Sequence, residues 1–300
     1  MKIFITGGTG FVGAALTARL LELGHETTIL GSSSQCRLPS HPHLNYISAD
    51  TSKPGEWQLS VADHEAFVNL AGRSVFNLWT ASYKEKIYNS RVLTTRHLVE
   101  AIPSNADTIL LSTSAAGYYG DGGEHEKRET AENGTDFLAK VCRDWENEAL
   151  RAEQKGSRVA LMRFGVVLGK GGGAIQTMKL PFKFGLGGPI GSGKQWFPWI
   201  HLDDIINAIL FILLGDDIHG AFNFTAPQAV RQKEFARQLG QVINRPAFLP
   251  TPAFIMKLIL GEFGESLLQG QKTIPEALEN HGYIFSYPEL KPALQEILRG

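Results

Sequence analysis

Between a short β-branched run, Lys2 to Thr6, and apolar residues at helical spacing, Phe11 to Leu23, the chain carries Thr6-Gly7-Gly8-Thr9-Gly10-Phe11-Val12-Gly13. Glycines in such a turn permit positive φ and let the backbone come close to a ligand. The helix that follows points free N–H groups and the positive end of its dipole at the same spot. Gly24 ends that helix. The next apolar run, Glu26 to Leu30, leads into polar residues that offer no neighbouring strand, so it is predicted to pair in parallel with the first. Strand, glycine turn, helix and strand make one βαβ unit shaped for a pyrophosphate, which predicts a bound dinucleotide. Gly7, Thr9, Gly10, Phe11 and Val12 are the residues expected to line it.

The alternation continues. Strand-like runs occupy Leu44 to Ser48, Ala66 to Leu70, Thr108 to Ser112 and Arg158 to Phe164, with helical patterns at Ser82 to Ala101 and Thr135 to Ala152. This rhythm predicts an α/β fold, a Rossmann-type doubly wound parallel sheet. After about residue 165 it breaks into two glycine-rich stretches, Gly169 to Gly173 and Gly185 to Gly193, predicted to be surface loops. Helices are predicted at Asp203 to Leu214, Gln232 to Ile243, Pro252 to Leu260 and Pro288 to Leu298, with a short strand at Ala221 to Thr225. The expected division is a nucleotide-binding domain over 1–165 and a smaller, mainly helical substrate lobe over 166–300, part of which crosses back near 200–225.

Composition sets the limits on partners. The 300 residues are 43% hydrophobic and 20% charged with a net charge of -1, and no run of like charges occurs. Nothing favours nucleic acid or an anionic membrane surface, and a small-molecule substrate is expected. The two cysteines, Cys36 and Cys142, lack metal-type spacing and fit a reducing compartment, so no metal is expected and a cytoplasmic location is. No succession of basic, apolar and small residues marks a signal peptide. The longest apolar stretch, Ile205 to Leu214, is roughly half a membrane span and reads as a buried helix. Composition leaves the oligomeric state open.

An NAD site usually has a carboxylate at the end of the second strand to accept the ribose 2′-hydroxyl. Here Gly31 is followed by Ser32, Ser33 and Ser34, with Arg37 further on. Small hydroxylic side chains and free N–H groups donate to a 2′-phosphate that a carboxylate would repel. NADP(H) is therefore the expected cofactor, with Gly31, Ser32 and Ser33 at its phosphate; the alternative is a solvated serine loop with the cofactor chosen elsewhere.

Three motifs together resemble the extended short-chain dehydrogenase/reductases: the Gly7 to Gly13 loop, Asn69-Leu70-Ala71-Gly72 after the fourth strand, and Ser112-Thr113-Ser114-Ala115-Ala116-Gly117-Tyr118-Tyr119-Gly120 after the fifth. Gly187 to Gly193 and Trp199-Ile200-His201-Leu202-Asp203-Asp204 are similar to its sugar-nucleotide-epimerase-like branch, whose substrate is uncharacterised. The resemblance runs from end to end. It implies that Asp50 lies by the adenine, Leu70, Ala71 and Gly72 along the ribose and diphosphate, Ser112 and Thr113 on the same wall, and Arg163, Gly165 and Val166 near the nicotinamide. It also implies that Ser114 orients a substrate hydroxyl or carbonyl.

The family's proton relay is a tyrosine followed four residues later by a lysine, whose ammonium lowers the phenol's pKa. This chain departs from it. Counting back from Lys140 places Asp136 at the tyrosine position, whereas aligning Trp145 and Glu146 with the helix's later acidic residue places Leu138 and Cys142 at the pair. Lys140 and the nearby Tyr118 are the candidates to complete a relay with Ser114, Tyr119 being a second phenol on the same loop. Two functions stay open: an NADP-dependent oxidoreductase or epimerase acting on a small polar, sugar-nucleotide-like substrate, and a protein that binds NADPH as a sensor or structural ligand without hydride transfer. His201 is expected to be a hydrogen-bonded structural residue, Asp203 and Asp204 to open a helix, and Trp196 and Trp199 to pack between the lobes. Lys179, Lys183, Lys194 and Gln195 are open to two uses, receiving a polar substrate or standing as solvated charge.

Overall fold

A computed structural model of the protein describes residues 1–104 and 107–298. The elements of its first part are β1 (Lys2–Thr6), α1 (Phe11–Glu22), β2 (Glu26–Gly31), β3 (Leu44–Ser48), β4 (Ala66–Asn69), α2 (Ala81–Ala101), β5 (Ile109–Ala115), β6 (Glu126–Lys127), α3 (Phe137–Leu150) and β7 (Arg158–Phe164). There follow β8 (Val166–Gly169), α4 (Gly173–Lys183), β9 (Trp196–Phe197), β10 (Trp199–His201), α5 (Leu202–Leu214), β11 (Gly220–Phe224), β12 (Val230–Arg231), α6 (Gln232–Val242), α7 (Ala253–Ser266), β13 (Lys272–Thr273), α8 (Glu276–Asn280) and α9 (Leu290–Leu298). Seven strands form one sheet in the order β11-β7-β5-β4-β1-β2-β3. Every pairing in it is parallel. The expected Rossmann-type sheet is present.

Alternation along β1 shows how it is buried. Ile3 and Ile5 pack on one face with Leu16 and Leu20 of α1 and Ile205, Ile209 and Ile212 of α5. Phe4 points to the other face, with Phe67, Leu110, and Leu98 and Val99 of α2. Strands apolar on both faces are what a sheet covered by helices on each side requires. The strand order reverses between β1 and β4, and in such sheets ligands bind outside the carboxyl ends of the strands at that switch. The loops after β1 and β4 meet there.

The remaining elements build a smaller body on that edge, joined by the short ladders β8/β10, β9/β12 and β6/β13. Its core sets Phe197 and Trp199 against Phe235 and Leu239 of α6 and Leu290, Leu294 and Ile297 of α9. Beyond it, α5 packs beside α1, and β11 is the sheet's edge strand.

The glycine-rich stretches depart from the surface loops expected of them. Gly169 and Gly172 face each other in a tight turn, and a Cβ on Gly172 would stand 2.2 Å from the ring of Phe11. The glycines make room for that ring, and α4, which sequence periodicity did not reveal, starts at once behind them. Gly187, Gly188 and Gly193 are buried, Gly188 lying so close to Leu249 that a Cβ would meet its carbonyl oxygen at 2.1 Å. These glycines are packing contacts. The helix expected over Pro252 to Leu260 extends to Ser266, broken at Gly261, where φ is +57°.

His201 is the structural residue expected: Nδ1 accepts from Asp203 N–H at 3.1 Å and Nε2 sits 3.1 Å from Glu296. Asp204 is buried and accepts from Ser286 N–H at 2.7 Å and Tyr287 N–H at 2.9 Å, so it fastens the segment before α9 as well as opening α5. Among the described residues no helix is long and apolar enough to cross a membrane, and no cluster of three metal-type ligands exists.

Candidate functional site

The glycine loop forms a cradle that side chains would fill. Gly7 has φ +72°, and a Cβ there would stand 2.8 Å from the carbonyl of Leu70, so the loops after β1 and β4 touch backbone to backbone. A Cβ on Gly13 would stand 2.3 Å from the carbonyl oxygen of Gly7. Gly10 caps α1 without a side-chain hydrogen bond, and the first turn holds no acidic residue. Among the described residues no acceptor takes the N–H groups of Phe11, Val12 or Gly13. Free donors, a positive helix end and no carboxylate fit a diphosphate.

A buried network holds this cradle from below. Thr6 Oγ1 donates to Asn69 Oδ1 at 2.6 Å, and Asn69 Nδ2 donates to Thr95 Oγ1 at 2.7 Å and to Ser112 Oγ at 3.1 Å. Ser112 therefore turns its hydroxyl into the protein, under the loops, instead of onto the ligand wall where it was expected. Thr113 Oγ1 is buried without a hydrogen-bond partner among the described residues.

At the end of β2 the chain carries no carboxylate. A Cβ on Gly31 would stand 2.8 Å from Thr9 Oγ1 and 3.1 Å from the Tyr46 hydroxyl, which donates to the Ser33 carbonyl. Ser32 and Arg37 are exposed beside it. Asp50 follows β3 at the same edge of the sheet and holds its own turn, accepting from Ser52 Oγ at 2.6 Å, a bond that keeps its carboxyl below the usual range.

A cleft of about 990 Å³ opens from this edge into the second body. Phe11, Val12, Gly72, Gly165 and Val166 line it on one side, and Leu138, Gln195, Phe263 and Gln271 on the other. Ala115, Ala116 and Gly117 line it too, whereas Ser114 lies directly behind them, its Oγ buried with no oxygen or nitrogen partner among the described residues. Cys142 lies against Ser114, and burial pushes its thiol up to about 12, far from a thiolate.

Two of the relay candidates are elsewhere. Lys140 is exposed on the outer face of α3 and does not reach the cleft. Tyr118 lies with its ring 3.6 Å from the Arg163 guanidinium, and Tyr119 is buried, its hydroxyl donating to Asn223 at 2.7 Å and pushed up to about 12 by burial. Neither lines the cleft. The Arg163 side chain turns away from the nicotinamide region expected for it: it pairs with Glu146 through Nε at 2.9 Å and Nη2 at 2.8 Å. Asp136 caps α3, accepting from Ala139 N–H at 2.9 Å. Leu138 faces Gly117 across the cleft wall, so the Leu138 and Cys142 register describes how α3 sits against the loop after β5.

Sequence reasoning missed Arg91. Its guanidinium lines the cleft, donates to the Ile87 carbonyl at 3.1 Å and lies 3.2 Å from where a Gly72 Cβ would be. Burial lowers its pKa, while the nearby Cys142 and Tyr83 act in the opposite direction. A signal existed: Arg91, half-buried, stands at helical spacing from the buried Ile87, Thr95 and Leu98 of α2.

Residues 3–223 match the NAD dependent epimerase/dehydratase family, and residues 251–297 match a domain of unknown function, DUF1731. An epimerase family protein of Staphylococcus haemolyticus is 41% identical over 304 residues, covering 99% of each chain. The chloroplastic homologue of epimerase family protein SDR39U1 in Arabidopsis thaliana is 40% identical over 303 residues, covering 100% of this chain and 87% of its own. The crystal structure of human epimerase family protein SDR39U1 (isoform 2) with NADPH superposes with a TM-score of 0.88 at 35% identity over 100% of both chains. The chain belongs to the NAD dependent epimerase/dehydratase family, a branch of the extended short-chain dehydrogenase/reductases.

Proposed function

We propose that the protein binds NADP(H) at the carboxyl edge of its sheet and serves hydride transfer with a substrate held between 1–165 and the lobe of 166–300, as an oxidoreductase or epimerase. The observation that carries this is one continuous cleft, bordered by Phe11 and Val12 of the glycine loop at one end and by Leu138 and Phe263 at the other. NADP(H) over NAD(H) is supported by the hydroxylic, carboxylate-free end of β2, and by the NADPH in the human relative. A reducing, cytoplasmic setting fits the two free cysteines.

When bound, the cofactor supplies the hydride at its nicotinamide. The N–H groups of Phe11 to Gly13 hold the diphosphate; Thr9, Gly31, Ser32 and Ser33 receive the 2′-phosphate; Asp50 and Leu70 to Gly72 flank the adenosine. Gly165 and Val166 border the nicotinamide end. Ser114, which the family resemblance offers as donor to a substrate oxygen, is buried behind Ala115 against Cys142, so this role requires its hydroxyl to turn into the cleft. Leu138 offers no proton, so a proton reaches the substrate from solvent or from another element than α3.

One observation favours a second reading, an NADPH sensor or structural binder: the pair facing the loop after β5 is Leu138 and Cys142, neither of which exchanges a proton near neutrality. Fluorescence titration with NADPH and NADH, followed by single-turnover absorbance with carbonyl compounds and nucleotide sugars, separates the two. Tighter NADPH binding with oxidation by one substrate class is expected. Bound NADPH left intact by every compound establishes the sensor; failure to bind either nucleotide overturns both readings.

A further inference from the structure

Two glutamines end on one residue of the stretch Gly185 to Gly193. Gln195 and Gln232 are already neighbours through their backbones, the Gln232 N–H donating to the Gln195 carbonyl at 2.9 Å. Their side chains meet again at Ile190. Gln195 Nε2 donates to the Ile190 carbonyl and to the Leu267 carbonyl, each at 3.1 Å, and Gln232 Oε1 accepts from the Ile190 N–H at 2.8 Å. Ile190 is itself held in place: the Pro189 carbonyl accepts from Thr251 N–H and the Gly191 N–H donates to the Thr251 carbonyl, both at 2.8 Å. These bonds fix which way each amide points. A nitrogen that meets two carbonyls and an oxygen that meets an N–H do not trade places, so Gln195 presents Oε1, an acceptor, and Gln232 presents Nε2, a donor. Gln271, whose Nε2 donates to the Gly120 carbonyl, presents a second acceptor. All three residues line the cleft, and among the described residues none of the three presented atoms has a partner.

The glutamines stand in the second lobe, next to the residues assigned to the nicotinamide end: Pro198, on the same segment as Gln195, packs on Gly165, where a Cβ would stand 2.9 Å from the Pro198 carbonyl oxygen. The charged side chains of the lining stand on other segments, Arg73 and Arg91 beside Gly72, Asp136 at the head of α3, Glu262 and Glu265 on α7. Resting on the hydride-transfer reading, we propose that Gln195, Gln232 and Gln271 select the head group of the substrate: an uncharged group that donates to the two amide oxygens and accepts from Gln232, as a carboxamide or a pair of adjacent hydroxyls does. A carboxylate or an ester brings oxygens alone and leaves Gln195 and Gln271 unmatched. Sites built to hydrogen-bond a substrate N–H or O–H discriminate strongly against analogues that lack it. Phe197 and Leu267, which border the glutamines in the lining, take an apolar body beside that head.

The probes share one apolar body: hydrocinnamamide, methyl hydrocinnamate, hydrocinnamate and phenylpropylammonium, with styrene glycol as the diol, titrated calorimetrically into NADPH-saturated protein. Wild type is expected to bind the amide, the diol or both at least about tenfold more tightly than the ester and the carboxylate, and the order of amide and diol tells the two head groups apart. Gln232→Glu keeps the oxygen that accepts from Ile190 and turns the presented donor into a charged acceptor. It is expected to weaken hydrocinnamamide and to strengthen phenylpropylammonium, each by about tenfold, with NADPH affinity unchanged. A binding order in which the ester or the carboxylate equals the better of amide and diol overturns the proposal, and so does a Gln232→Glu protein that loses every probe alike, the mark of a structural role. If Gln232→Glu does not fold, Gln271→Met decides: it removes one acceptor and should weaken the amide while sparing the ester, and equal effects on the two overturn the proposal. Failure of wild type to bind NADPH refutes the cofactor reading instead, and the same probe order measured without nucleotide still decides the head group.

Discussion

Gly31 faces Thr9 across the ends of β2 and β1, with 2.8 Å between Thr9 Oγ1 and the place of a Gly31 Cβ. The contact makes Gly31 a poor place to introduce a carboxylate, since any side chain there displaces Thr9. Ser32, exposed one residue on, is the better one. Ser32→Asp is expected to weaken NADPH by about tenfold or more through repulsion of the 2′-phosphate, and to leave NADH unchanged or improved. Fluorescence titration with both nucleotides checks it; equal losses for the two would place the 2′-phosphate elsewhere.

Gly13→Ala tests the cradle. Its Cβ would stand 2.3 Å from a backbone oxygen, that of Gly7, which has no rotamer by which to yield. The turn must open, so a stability loss of about 1–3 kcal/mol is expected. NADPH affinity should fall by about tenfold or more, because the N–H groups no longer converge. Urea denaturation and titration of the same sample measure both, and wild-type binding with reduced stability would separate the turn from the ligand site.

The βαβ unit was legible because strand, glycine turn and helix each leave a local signal, and β1 to β5 and β7 lie close to their apolar runs. What failed was direction. Ser114, Tyr118 and Tyr119 are close in sequence, yet Ser114 points behind the cleft wall while both phenols turn to Arg163, a partner across the sheet from β7. Lys140 and Leu138 are two residues apart on α3 and so lie on different faces, one exposed and one on the cleft. The helix α4 was hidden by glycines that serve the Phe11 ring and by Pro181 within it. Arg91, half-buried and one turn from the buried Ile87 and Thr95, carries no motif that marks it in the sequence.

The Arg163 and Glu146 pair is expected to dominate local stability. Their side chains are 5% and 6% exposed and share two hydrogen bonds. Arg163→Met leaves a carboxylate buried alone, at a cost of about 3–5 kcal/mol, while Arg163→Met with Glu146→Leu should recover much of it. Urea midpoints for the two variants check this. If the pair is structural, as the absence of both side chains from the cleft lining indicates, whatever folded protein remains should bind NADPH like wild type.

Glu129 gives a pH dependence of known sign. Burial raises its carboxyl above the ordinary range, although Oε1 accepts from Asn223 N–H at 2.9 Å and Ala277 N–H at 3.2 Å. A raised carboxyl holds its proton more tightly in the folded state than in the unfolded one. Its contribution to stability is therefore full below the ordinary carboxylate range and is lost as pH rises through the folded value. Glu129→Gln keeps the oxygen that accepts both N–H groups and removes the titration. Compared in urea between about pH 5 and about pH 8, the variant should gain on wild type as pH rises, the difference being largest at the alkaline end. A difference that is flat across this range, or that shrinks as pH rises, would mean that the two N–H donors outweigh burial and that the carboxylate is the form the fold prefers.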